Sequence, residues 1–321
     1  MAMKRSELEQ IIEVLPEGRT EFAYRQGDFV FWLLRRHIGT GRSVRSIKRG
    51  PFGSLLKNPS VRRFVQQAGN GVLSVPAPPL KPVPPHERFT LSLGRWGRDE
   101  SLGPDDWYQT CRPGYNLVLL VNFPDDHNKR YQKMFGSRSH DHCPFEDDAH
   151  PHCRRDGCWT MAWVRLDVDL DRDVALIEEI QSDWIRQAHR HGRFLGSDGR
   201  WNERLDQLHW YDPSRHKPTR IWHYLSRVMP PLSRIWAEAT FAAALWFLQA
   251  ELGIRHIYCH SWDSCRRLKV SDPPRFLYQD LPRRFCFAKT TCPPPLFTGP
   301  WRRAVERIGK ARPLSWWTLS L

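Results

Sequence analysis

No stretch of this 321-residue chain approaches about eighteen consecutive apolar residues, and no basic amphipathic anchor stands out, which excludes a membrane-spanning helix and argues against a membrane partner. The segment from Met1 to Gln10 lacks the apolar run of a signal peptide, so a cytoplasmic protein is expected. The eight cysteines include no paired Cys-x-x-Cys, which excludes a standard zinc finger, and in a reducing compartment thiols or metal ligands are expected rather than disulfides. Acidic residues are missing altogether between Phe29 and His86.

That last absence matters because the same stretch is rich in cations. Arg35, Arg36, Arg42, Arg45, Lys48, Arg49, Arg62 and Arg63 lie there, in a chain whose formal charge is +14. A solvated basic face ordinarily includes some acidic residues for local pairing, so their absence favours contact with phosphates, and DNA or RNA is the simplest polyanionic partner. Hydrophobic residues make up 40% of the chain, which is enough for a sizeable core and excludes disorder throughout.

Apolar spacing predicts helices from Lys4 to about Leu15, from an N-cap at Asp28 to His37, from near Ser43, and from Pro59 towards Gly69. Together they suggest a small all-α basic domain over residues 1–74. Arg36 to Gly41 matches the Arg-x-x-Gly-x-Gly form of an acetyl-CoA pyrophosphate loop, but a helix precedes it where a strand is required, and a glycine C-cap explains it. The proline-rich residues 75–86 read as a semi-rigid linker. Residues 87–321 then read as an α+β domain, a mixed sheet with packed helices, beginning with strands at Phe89–Leu93 and Tyr115–Phe123.

Between Ser139 and Cys158 the chain gathers His140, His142, Cys143, His150, His152, Cys153 and Cys158. Four of them could hold a structural zinc ion; a polar loop with local hydrogen bonds is the alternative. Strands at Thr160–Val168 and Val174–Ile180 form a predicted antiparallel hairpin. A long helix from Leu232 to Glu251 leads to a strand at Ile254–His260, which places both strands in one sheet with the helix across it. A basic helix from Trp301 to Arg312 and an apolar tail tied into a core complete the expected order.

The second hairpin strand ends in Glu178, Glu179, Gln181, Ser182 and Asp183. Strict alternation puts Glu179, Gln181 and Asp183 on one face, and Glu178 and Ser182 on the other. Three chemistries are open to this cluster. A buried carboxylate can act as general base for acyl transfer. Asp167 or Asp169 can join Glu179 and Gln181 around a divalent cation such as Mg²⁺, an arrangement resembling the PD-(D/E)xK nuclease core with glutamine in place of lysine. The third reading is structural: the residues cap the next helix or pair with Arg165 and Arg193.

Ile177 to Trp184, with Val164-Arg-Leu before it and an alanine-rich helix, Gly253 and a strand after it, resembles a domain of large phage and mobile-element proteins. That domain has a similar Glu-Glu-Ile-Gln-Ser-Asp-Trp signature, and Phe276 to Phe287 resembles its Tyr-Asp-x-x-Leu-Pro segment. The resemblance implies a setting in phage conflict, antiviral defence or mobile elements. A looser likeness is to the GNAT acyltransferases: strand, helix, strand, then Tyr278 followed by Leu-Pro. It implies an acyl-CoA donor and Tyr278 as general acid, although Ser182-Asp183-Trp184 stands where the pyrophosphate loop belongs. The combined expectation is a nucleic-acid-associated group-transfer enzyme, with a metal-dependent nuclease and a non-enzymatic DNA-binding protein as alternatives.

Overall fold

A computed structural model describes residues 3, 5–14, 20–69, 71–74, 86–98, 111–112, 114–136, 143–147, 149–153, 155, 157–195, 218–269 and 272–321. Most of the expected linker, residues 75–85, lies outside these, as do His140 and His142. In chain order the elements begin with α1 (Arg5–Val14), β1 (Thr20–Tyr24), α2 (Asp28–Ile38), β2 (Arg42–Ser43) and α3 (Val44–Arg49). A 3₁₀ turn (Pro51–Lys57), α4 (Pro59–Gln67), β3 (Val72–Leu73), β4 (Glu87–Arg98), β5 (Gly114–Asn122) and α5 (Asp125–Phe135) follow. Next come β6 (Thr160–Asp169), β7 (Val174–Gln181), α6 (Asp183–Phe194), α7 (Pro218–His223), α8 (Met229–Trp246), β8 (His256–His260) and α9 (Trp262–Lys269). The last are α10 (Leu281–Arg284), β9 (Ala288–Thr290), α11 (Gly299–Gly309) and β10 (Trp316–Ser320). Wider π-type turns flank α8 and precede α10.

The main sheet has the order β1-β4-β5-β6-β7-β8-β10-β9. Every neighbouring pair is antiparallel except β7 and β8. A parallel pair needs a long crossover. Here the chain runs from β7 through α6, α7 and α8 before entering β8. As the spacing predicts, α8 lies across the sheet: Ala239, Ala242, Ala243 and Ala244 bring it close to the face formed by Leu117, Leu119, Val164, Leu166, Ile177 and Ile257. Those small side chains are what let a helix backbone approach a sheet. The apolar tail is also tied in, as β10 between β8 and β9.

The first 74 residues are not the all-α domain that the helical spacing suggests. They contribute β1 to the main sheet, with Phe22 opposite Phe89, and their helices share one core with the rest of the chain. Amphipathic helices are easily read from sequence. A five-residue edge strand whose partner lies across the proline-rich segment is not.

Glu238 of α8 fastens this region to the sheet. Its buried carboxylate accepts Tyr24 Oη–H at 2.7 Å and Gly27 N–H at 2.6 Å, and it pairs with Arg284. Phe29 stacks on Phe285 beside it, with ring centroids 4.0 Å apart. Gly27, left-handed at φ 89°, occupies the N-cap position of α2, so Asp28 is the first helical residue and not the cap expected of it. Gly39 does cap the other end of α2, its N–H reaching Arg35 O.

Replacing Glu238 with Ala leaves the Tyr24 hydroxyl and the Gly27 amide without their acceptor. The variant is expected to lose about 1–3 kcal/mol of stability in denaturant titration.

Candidate functional site

The strand β7 does not alternate simply. Arg165 of β6 faces Glu179, but the next residue, Leu166, faces Ile177, so Glu178 is an extra residue and β7 bulges there. The bulge turns both glutamates to the face away from α8. Lys269 Nζ lies 3.5 Å from Glu178 Oε2 and 3.4 Å from Glu179 Oε2. The opposite-face placement expected from alternation is therefore overturned for Glu178, because one inserted residue shifts the parity of everything before it.

The bulge coincides with the end of the parallel pairing. Registered pairs between β7 and β8 run from Val174–His256 to Ile177–Cys259, after which β7 continues along β6 while His260 pairs with Trp316 of β10. A crevice opens at the carboxyl ends of two parallel strands, the usual position for a ligand in an open α/β sheet. Four polar side chains fill it: Glu178 and His260, both fully buried, with Lys269 and the partly exposed Cys111. Cys111 N–H donates to Glu178 Oε1 at 3.1 Å, and Cys111 Sγ lies 3.2 Å from His260 Nε2. Lys269 Nζ donates to Glu178 O at 2.8 Å, satisfying a carbonyl that the parting strands leave free.

Burial alone would push the Glu178 carboxyl up, but the Lys269 ammonium, with the Arg165 guanidinium, outweighs it and holds the group below the ordinary carboxylate range. Burial lowers His260, which keeps the imidazole neutral, and burial with the nearby Glu178 charge raises the Cys111 thiol. The crevice thus holds a carboxylate, an ammonium, a neutral imidazole and a thiol. Glu179 pairs with Arg165 as well as Lys269. Next to this pair, Arg112 clamps Asp167 with two bonds of 2.5 and 2.6 Å.

The remaining cluster residues lie elsewhere. Asp183 accepts from Gln181 Nε2 at 2.6 Å, Arg186 Nη2 at 2.6 Å and Trp163 Nε1 at 2.9 Å, with His150 Nδ1 at 2.8 Å. Ser182 caps α6 by accepting Ile185 N–H, and donates to Met161 O. Those contacts correspond to the structural reading. Tyr278 packs in the main core; its hydroxyl accepts Ile180 N–H at 3.3 Å, and burial, with the nearby Cys265 and Glu179, raises it.

The nuclease set does not assemble either. Asp169 lies at the hairpin end, opposite Val174 and paired with Arg172 at 2.6 Å. At about 3.3 Å per residue it is roughly 13 Å along β6 from the residue facing Glu179. Asp167 is nearer but is held by Arg112.

The seven expected zinc ligands fare similarly. Among the five described, Cys143 bonds Tyr131 Oη at 3.0 Å, His150 meets Asp183, and His152 Nδ1 bonds His150 O at 2.9 Å. Cys153 N–H donates to Thr160 Oγ1, and the Cys158 thiol is raised chiefly by its contact with Cys153. Among the described residues no three of them form one ligand set; His150 groups instead with Asp147 and Asp183. His150 and His152 line an open groove of about 380 Å³ with Gly94, Arg95, Leu120 and Pro151. Next to His150, Trp96 stacks on Trp163 at 6.4 Å, and the Arg165 guanidinium lies over Trp96 at 5.1 Å.

The eight candidate binding cations of the acid-free stretch are all exposed. Arg35 and Arg36 stand in the last turn of α2, Arg45, Lys48 and Arg49 on α3, and Arg62 and Arg63 on α4. Arg42, in β2, bonds His37 Nε2 at 2.7 Å. The short β2–β3 ribbon closes the loop that carries α3 and α4. Among the described residues no helix is long and apolar enough to cross a membrane.

Cys111, His260 and Lys269 escape a reading by motif, because they lie dozens of positions from Glu178 and only strand pairing gathers them. The available signal was the position of His260 at the end of the predicted strand after the long helix.

The hydrogen bond to Asp183 raises His150, and burial opposes the rise. A raised folded value means that this pair's stabilisation is complete below the unfolded histidine value of about 6.5 and is lost as pH rises through the folded value. NMR titration should place His150 above that reference, and Asp183→Asn should bring it down. No family model matches the chain, nor does any curated protein or any solved structure, so the assignment of function falls to the chemistry of these residues.

Proposed function

We propose that the protein binds nucleic acid through the exposed cations of α2, β2, α3 and α4, and carries a group-transfer centre in the crevice where β7 and β8 part. The observation that carries the binding reading is the exposure of Arg35, Arg36, Arg42, Arg45, Lys48, Arg49, Arg62 and Arg63 on one short stretch without an acidic neighbour in sequence. Unneutralised cations on a folded surface repel one another, and a phosphate backbone relieves that repulsion while releasing counterions.

The mixed sheet supports the transferase half. A parallel pair whose crossover ends in a long helix packed on the sheet is consistent with the strand, helix, strand order of the GNAT likeness. Acyl-CoA is a less natural donor than that likeness suggests. Ser182 uses its hydroxyl to cap α6 where a phosphate loop would sit, and Lys269 and Tyr278 occupy Glu178 O and Ile180 N–H. His260, neutral and facing a thiol, is the crevice residue that the transfer is expected to need.

Fluorescence anisotropy with labelled duplex and single-stranded probes, over a range of salt concentrations, tests the binding. Reversing the charge of Arg45, Lys48 and Arg49 should weaken affinity and flatten the dependence of log K on log salt by about 0.9 for each duplex phosphate that is no longer neutralised. Unchanged affinity and slope would remove these cations from the interaction. Transfer of label from an acyl donor to nucleic acid or to a bound protein should disappear in His260→Ala while nucleic-acid binding persists. If the wild type transfers nothing, the transferase half fails and the binding half stands.

A further inference from the structure

We propose that Cys111, Glu178 and His260 bind a single zinc ion in the crevice between β7 and β8. This inference goes beyond the functional reading above and does not depend on nucleic-acid binding.

A thiol sulfur, a carboxylate oxygen and an imidazole nitrogen lie here within 4.8 Å of one another. A tetrahedral zinc ion has bonds of about 2.3 Å to sulfur and 2.0 Å to nitrogen or oxygen. Those lengths set ligand separations of about 3.5 Å for S···N and about 3.3 Å for N···O. The separations found are 3.2 Å from Cys111 Sγ to His260 Nε2 and 3.4 Å from His260 Nε2 to Glu178 Oε2. Two of the three separations thus match those of bound ligands, and the sulfur lies within 4.8 Å of the carboxylate oxygen.

The outer contacts orient each ligand. Ser264 Oγ donates to Ser261 O at 3.1 Å, so towards His260 Nδ1, also at 3.1 Å, it presents a lone pair. Nδ1 then carries the ring proton, and Nε2 is left with the lone pair a metal requires. Glu178 is held in a similar way, by Cys111 N–H on Oε1. Its other oxygen, Oε2, is fully buried and accepts no hydrogen bond: the Lys269 ammonium forms an ion pair with it at 3.5 Å but donates to Glu178 O and Glu179 Oε2. A metal ion between that oxygen and the imidazole lone pair would bond both, beside the ion pair to Lys269.

Sulfur, nitrogen and oxygen donors together suit zinc better than magnesium or calcium, which take oxygen. In binding, the Cys111 S–H bond breaks, its proton passes to solvent and a sulfur–zinc bond forms. The exchange adds one positive charge to a crevice that already contains Lys269. A hydroxide in the fourth position would cancel it, so a water bound there should ionise readily. Three protein ligands and one open position form a site of the catalytic kind.

The test uses the full chain, stripped with a chelator and titrated with Zn²⁺ by calorimetry and with Co²⁺ by absorbance. One equivalent should bind with release of a proton, and Co²⁺ should show a thiolate charge-transfer band. Cys111→Ser should abolish the band, Glu178→Gln and His260→Gln should each weaken binding, and Ser264→Ala should cost about 10–100-fold in affinity. Cys153→Ser should change nothing. The proposal is overturned if folded wild type takes up neither metal, or if binding and band survive in Cys111→Ser but vanish in Cys153→Ser. The cobalt spectrum of the wild type decides the thiolate ligand even where a variant fails to fold.

Discussion

The bulge at Glu178 is the constraint on which the rest of the interior chemistry depends. One residue too many in β7 turns two neighbouring carboxylates to the same face of a buried sheet, where two uncompensated charges would be prohibitively expensive. Everything around them answers that problem. Arg165 comes from the paired strand and Lys269 from the end of α9. Lys269 also satisfies the Glu178 carbonyl where the ladder to β8 stops. The same residue neutralises side chains and completes backbone bonding, so the parting of the strands and the charge of the crevice are one feature.

A second buried carboxylate, Glu238, ties the N-terminal region to the sheet. It gathers a hydroxyl, a backbone amide and a guanidinium from segments more than two hundred residues apart in two of the three cases. With β1 in the main sheet and Phe29 against Phe285, the basic helices are packed into the same core as the sheet. Their arginines and lysines can then present a fixed pattern of charge, which a flexible basic tail could not do.

Local patterns are legible in the sequence. The helices α1 to α4, the hairpin of β6 and β7, the long α8 and the strand after it all follow from apolar spacing, caps and breakers. So does the region of interest, since Glu178 and Glu179 do sit at the crevice. The departures share a cause. Alternation misplaces Glu178 because a bulge leaves no mark in residue type. The zinc window and the Asp169 set group neighbours in sequence, and the fold sends those neighbours to different partners: Cys143 to Tyr131, His150 to Asp183, Asp169 to Arg172.

By itself, the sequence determined the elements, the acid-free basic stretch and the existence of a polar cluster at a strand end. These are properties of residues within a few turns or pleats of one another, where periodicity and charge can be read directly. Only the tertiary structure decided which of those polar groups meet. Cys111, Glu178, His260 and Lys269 come together through the parallel pairing of β7 and β8 and the register shift between β6 and β7. Register is set by packing across the whole sheet, and no local spacing encodes it.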